Sequence, residues 1–240
     1  MHRPAGIRIT WLGHSTFKIL SPRGRIVLID PWLGNNPACP RPLRTLERMD
    51  LMLLTHGHFD HFEDAVALGR SLRPKIVANF EICQFLEAQG ISGACAMNKG
   101  GTQTVEGIRV TMVPASHTSS IAWDGRLLPG GEACGYILEF EDGFKIYEAG
   151  DTAVFGDMKL LAELYRPDLT LLPIGDLFTM GPKEAALACR LMRPRRVIPK
   201  HFGTFPALTG TPADLRELTS DLPEMEIIEL KPGGSWELSA

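Results

Sequence analysis

Cysteine is scarce in this chain and poorly placed for cross-linking: five residues, at 39, 83, 95, 134 and 189, odd in number and in no Cys-x-x-Cys pair. That spacing argues against a disulfide scaffold or a cysteine-rich zinc site and fits reduced thiols in a cytoplasmic protein. Long apolar runs are missing too; none approaches the ~20 residues needed to cross a bilayer. The N-terminal Met1 to Gly6 has an early charge but no apolar signal-peptide core, and strand-like alternation begins at Ile7. Neither sign of charge dominates. A net charge of −3 gives no electrostatic reason to expect nucleic acid or an acidic membrane as partner. What remains is an ordinary globular composition, 44% hydrophobic and 22% charged over 240 residues. We read it as one domain, 1–240, acting on a small molecule, with homo-oligomerisation left open.

Histidine is also sparse, yet three of the seven fall within Leu53-Leu54-Thr55-His56-Gly57-His58-Phe59-Asp60-His61. His56, His58, Asp60 and His61 can all ligate a metal. Met52, Leu53 and Leu54 read as a buried strand, Gly57 as a residue that lets the backbone turn sharply, and Phe62-Glu63-Asp64 as the start of a helix. Four ligands then sit on one strand-to-helix turn, able to diverge toward two adjacent ions.

Along the chain, strands are predicted at Ile7–Ile19 (interrupted by Gly13-His14-Ser15), Ile26–Ile29 ending at Asp30, Leu51–Leu54 and Ile76–Ala78. Helices are predicted at Leu43–Met49, after the metal loop to Leu72, and from Phe80 to Gln89. The second half repeats this grammar. Ile7-Arg8-Ile9-Thr10 answers Ile108-Arg109-Val110-Thr111, and the strand into Asp30 answers the strand into Asp151. Asp50-Leu51-Met52-Leu53-Leu54 answers Asp168-Leu169-Thr170-Leu171-Leu172, and Arg73-Pro74 answers Arg193-Pro194. Four matches in the same order indicate an internal duplication, about 7–100 and 108–212. Two β-rich halves with helices pack as an α/β four-layer αββα sandwich, two mixed sheets flanked by helices, with strand-end ligands meeting along one edge.

His117, Asp151 and His201 each follow a predicted strand and precede a turn. Three imidazoles with an open position suit a catalytic zinc; a carboxylate-rich partner site suits zinc, manganese or iron.

With these ligands assembled, the chain resembles the metallo-β-lactamase-fold hydrolases, whose pattern is H-x-H-x-D-H followed by a lone His, an Asp and a final His. It is most similar to their uncharacterised branch of lactonase-like metal-dependent hydrolases. The segments that carry this are Trp11-Leu12-Gly13-His14-Ser15, Asp30-Pro31-Trp32-Leu33, Ala149-Gly150-Asp151-Thr152, Phe178-Thr179-Met180-Gly181-Pro182 and His201-Phe202-Gly203-Thr204-Phe205-Pro206. The resemblance implies that His56, His58 and His117 bind one metal, that Asp60, His61 and His201 bind the other, and that Asp151 bridges. It further implies a hydroxide held between two divalent ions, zinc foremost, with Asp60 orienting the nucleophile. The expected substrate is a small anionic ester, lactone or phosphodiester. Members of the branch often carry His where this chain has Glu148, which leaves Glu148 as a metal-edge group, an acid or base, or a solvated carboxylate.

Asp30 is a candidate to orient a ligand imidazole, and His14 to face the pocket as acid or substrate anchor. Asn36, Glu148 and Thr204 are candidate substrate contacts, and the loop from His117 to Glu132 a candidate mobile lid. Rival readings are a di-iron oxidoreductase, weakened by the lack of a flavin-binding segment, and a nuclease or other phosphodiesterase. The nuclease is disfavoured by the acidic balance and by the short Asp151–His201 interval. A non-catalytic metal-binding protein is the fourth.

Overall fold

The computed structural model describes residues 6–238, so the reading of Met1 to Ala5, His2 included, lies outside the described residues. The first half contributes β1 (Arg8–Trp11), β2 (Phe17–Leu20), β3 (Ile26–Ile29) and β4 (Leu51–Leu53). The one-turn helix α1 (Phe59–Phe62), α2 (Ala65–Leu72), β5 (Lys75–Asn79), α3 (Phe80–Ala88) and β6 (Ala94–Met97) follow. The second half brings β7 (Thr102–Val105), β8 (Ile108–Pro114), β9 (Ser120–Trp123), β10 (Arg126–Pro129), β11 (Cys134–Glu139) and β12 (Lys145–Glu148). Then come α4 (Met158–Tyr165), β13 (Leu169–Pro173), α5 (Pro182–Met192), β14 (Arg196–Lys200), α6 (Pro212–Leu218), β15 (Glu226–Ile227) and β16 (Ser235–Glu237).

One seven-stranded sheet runs β16-β1-β2-β3-β4-β5-β6 and the other β15-β14-β13-β12-β11-β8-β7. In the first, β1, β2 and β3 are antiparallel and β3 to β6 parallel. The same succession of senses recurs through β8, β11, β12, β13, β14 and β15. The duplication read from the sequence is thus repeated in the pairing. Small details repeat as well: the Asp50 carboxylate accepts the Ile26 N–H at 2.8 Å, and the Asp168 carboxylate accepts the Lys145 N–H at 2.9 Å. Arg73 and Arg193 both end a helix in the left-handed region (φ 50 and 45), because a following proline disfavours αR at the residue before it.

The near-continuous apolar strands follow from burial on both faces. Alternate residues serve different layers: Val27, Ile29, Leu51 and Leu53 pack between the sheets, whereas Leu28, Met52 and Leu54 pack outward against α2 and α3. In the second sheet Ile146, Leu171 and Ile198 face inward, while Tyr147, Leu172 and Val197 meet α4, α5 and α6. Each fully buried aliphatic side chain contributes about 1.5–3 kcal/mol. Tyr136 spans the inner layer, its hydroxyl donating to Leu54 O at 2.7 Å, and so ties the second sheet to the end of β4 where the metal loop begins. All five cysteines are free thiols. No helix among the described residues is long and apolar enough to cross a membrane.

Two predicted segments differ. Leu43–Met49 is not a helix; only a 3-10 turn forms at Arg41–Leu43. The Arg44 guanidinium donates to Gly34 O, Asn36 O and Cys39 O at 3.0–3.1 Å, holding the irregular chain that a helix would abandon. The 117–132 segment, read as a lid, contains the β9–β10 hairpin.

Candidate metal centre

The ligands reach one place because the strands that carry them end on one edge of the sandwich: β4 before His56, β8 before His117, β12 before Asp151 and β14 before His201. Gly57 serves close approach rather than an unusual turn. A Cβ there would meet Ile121 Cγ1 at 2.7 Å and Ser120 O at 3.0 Å, so glycine lets β9 lie directly on the loop.

His56 Nε2 and His58 Nδ1 lie 3.0 Å apart, and His117 completes a triad whose ligand atoms fall within 4.8 Å of one another. Asp60, His61 and His201 form a second cluster within the same limit, joined by His14. Asp151 stands between the clusters: its Oδ2 is 3.1 Å from His61 Nε2, 2.9 Å from His201 Nε2 and 4.0 Å from His117 Nε2. All seven residues read as metal ligands are therefore brought together.

The donor set fits divalent ions. Asp151 Oδ1 is buried without a hydrogen-bond partner among the described residues, and His61 Nε2 and His201 Nε2 crowd the one oxygen Asp151 Oδ2, a costly arrangement that a cation would relieve. Burial pushes the His56, His58 and His117 imidazoles below their ordinary range, leaving neutral rings with free lone pairs. Burial would raise Asp60 and Asp151, but the surrounding histidines reverse this and hold both carboxylates ionised. Burial would lower His61, yet Asp151, Asp60 and Asp30 together hold it well above its usual range, the same attraction these carboxylates would exert on a metal cation.

Asp30 organises the ligands from below. Its Oδ2 accepts His61 Nδ1–H at 2.8 Å and the Thr55 hydroxyl at 2.7 Å, and its Oδ1 accepts the Thr55 N–H at 2.8 Å. Thr55 Oγ1 in turn lies 3.0 Å from His56 Nδ1 and accepts its proton. One carboxylate thus holds the Nδ1 sides of two imidazoles, directly and through Thr55, and leaves each Nε2 turned to the centre, the orientation metal ligation requires. Thr55 was not singled out by sequence reasoning; its only signal is a hydroxyl residue directly before the first ligand.

Other assignments change. His14 does not face the cavity: it is fully buried, its Nε2–H donating to Asp60 Oδ2 at 2.8 Å and its Nδ1 accepting from the Thr204 hydroxyl at 3.0 Å. Burial, partly opposed by Asp60, lowers its pKa to about 4, so the ring is neutral. Thr204 engages His14 through its hydroxyl. Asn36 is fully buried, its amide donating to Gly13 O and Trp32 O, and so is no substrate contact. Glu148 neither contacts substrate nor points to solvent: it is fully buried in an ion pair with Lys200, a partner 52 residues away.

A cavity of about 330 Å³ opens over the centre, with His58, Asp60, His117, Asp151 and His201 at its base and Phe59, Ala122, Leu127, Phe178 and Phe205 around its walls.

Fold and ligand constellation together define a metallo-hydrolase. The beta-lactamase superfamily domain matches residues 25–202, and the chain belongs to that family. A UPF0173 metal-dependent hydrolase of Koribacter versatilis is 47% identical over 231 residues, 96% of this chain and 98% of its own. Another, from Rubrobacter xylanophilus, is 52% identical over 230 residues, 95% of each. The solved metallo hydrolase of the archaeon Ignicoccus hospitalis is similar with a TM-score of 0.86 at 31% identity, covering 98% of this chain and 99% of that one. This chain is accordingly a metal-dependent hydrolase with the metallo-β-lactamase fold.

Proposed function

We propose that the protein hydrolyses a small ester, lactone or phosphodiester at a centre of two divalent ions, zinc foremost, with manganese or iron as alternatives. The observation that carries this is the position of Asp151 Oδ2 between a three-histidine cluster and an Asp60–His61–His201 cluster, within 4.0 Å of a histidine from each. Two ions so held supply a water acidified toward a pKa of about 7 and a Lewis acid for the developing oxyanion.

The rest falls to the chain. His56, His58 and His117 would hold one ion, Asp60, His61 and His201 the other, and Asp151 both. Thr55 and Asp30 keep the Nδ1 protons of His56 and His61 away from the ions. His14 holds Asp60 Oδ2, leaving the second carboxylate oxygen without a hydrogen bond from the described residues and available to orient a nucleophilic water. Trp32, with Phe59 and Phe205 packed on it at 5.7 and 5.8 Å, walls that side against bulk water.

The test is elemental analysis of protein purified without added metal, then turnover of chromogenic phosphodiester, lactone and thioester substrates. About two zinc or manganese ions per chain with metal-dependent turnover are expected. Turnover that survives complete metal removal would overturn the reading, and two irons without hydrolysis would move it to redox chemistry on the same fold.

A further inference from the structure

Resting on that hydrolytic reading, the cavity walls narrow the substrate. We propose that the part of the substrate outside the reacting group is uncharged, an apolar aryl or short alkyl group, and not the anionic group expected from sequence.

Above the ligands the cavity is apolar: Phe59, Phe178, Phe205, Leu127 and Ala122, relieved only by the hydroxyls of Thr118 and Ser120. No lysine or arginine among the described residues lines it. The nearby cation, Lys200, is fully buried against Glu148 and cannot reach a ligand. A substrate anion lying beyond the metals would lose its hydration without gaining a charge-assisted partner.

The apolar rim is built, not incidental. Phe59, Phe178 and Leu127 come from three separate segments (α1, the loop after β13, and β10), yet converge on one mouth while 54%, 60% and 74% exposed. Immediately before Phe178, Asp176 and Leu177 both adopt left-handed backbone (φ 71 and 58). For residues other than glycine this conformation is strained, and such strain concentrates where a side chain must be presented. The cavity's 330 Å³ leaves room above the ligands for an aryl or short alkyl group.

The experiment compares matched 4-nitrophenyl esters on the zinc-loaded full chain: phenylacetate and its 4-carboxylate derivative. We expect kcat/KM for the neutral ester to exceed that for the anion at least tenfold. The double variant Phe178→Ala/Leu127→Ala should erase that preference by raising KM for the neutral ester alone. Equal rates, or faster turnover of the anion, would overturn the proposal. If no ester is turned over, the hydrolytic reading fails, and the cavity is judged separately by quenching of tryptophan fluorescence with 2-phenylethanethiol and its 4-carboxylate analogue. A tenfold preference for the neutral thiol supports the apolar site; equal binding overturns it.

Discussion

His14 Nε2 lies 2.8 Å from Asp60 Oδ2, and the two residues reach each other from different elements: His14 from the turn after β1, Asp60 from α1. The His14 backbone is itself left-handed (φ 56), and its carbonyl accepts both Trp11 Nε1–H and the His201 N–H at 2.9 Å. One residue therefore joins Asp60 and His201, two ligands of the same cluster, through separate groups.

That relationship predicts a graded response. His14→Ala removes the donor that orients Asp60 and should lower metal affinity or kcat/KM by about 10- to 100-fold, the usual cost of losing a group behind a ligand. His14→Gln, which can still present an N–H, should recover part of the loss. Competition with a chromogenic chelator reads affinity and steady-state kinetics read turnover. Equal loss in both variants would mean that His14 only fills space.

Asp60→Ala should abolish hydrolysis without unfolding the chain, because Asp60 sits at the cavity base and belongs to none of the apolar clusters that pack the sheets. Circular dichroism should be unchanged while turnover falls to the metal-free background. Chelation of the unaltered protein should give the same loss, reversed by adding zinc. Undiminished turnover in either case would sink the hydrolytic mechanism.

The metal loop was readable because four donors occupy one short window, and the layers because alternate residues of β3 and β4 are apolar on both faces. The lone ligands His117, Asp151 and His201 became readable only once strand ends were assigned. His14 was misplaced for a physical reason: which way its ring turns depends on where α1 docks, and no local pattern encodes that. Glu148 failed similarly. In its own strand it reads as one carboxylate among apolar residues, and only the fold brings Lys200 to it. The Leu43–Met49 segment carried a helical composition that the three-carbonyl grip of Arg44 overrides.

Stability should fall in acid partly through Asp50, which precedes β4 at the end opposite the metal loop. Burial pushes its carboxyl up, but the Ile26 N–H and the Arg48 and Arg25 guanidiniums outweigh this and hold it below the usual value. Because the folded-state pKa is depressed, its contribution is complete above the ordinary carboxylate range and is lost as pH falls through the lowered value. Asp50→Asn should therefore flatten the acid side of a stability–pH curve measured by urea denaturation and leave the neutral-to-alkaline slope unchanged. An unaltered acid limb would refute the assignment.

The Glu148–Lys200 pair makes the sharpest stability prediction. Both side chains follow inward-facing residues at alternate positions, Ile146 before Glu148 and Ile198 before Lys200, so both enter the layer between the sheets from strands that flank β13. Burial pushes the Glu148 carboxyl up to about 7 while Lys200 pulls it down, and the ammonium, buried but facing Glu148, Asp151 and Asp30, is held above its usual range. The lysine thus stays charged through neutral pH and needs its partner. Glu148→Gln should cost about 3–5 kcal/mol, since it strands a buried ammonium, whereas Glu148→Gln/Lys200→Met should recover most of that by removing the charge it stranded. Denaturation of the metal-free proteins measures both without involving catalysis. If the single variant were as stable as the unaltered chain, the ammonium would have found another partner. If the double variant were no better than the single, the pair's value would lie in packing rather than charge.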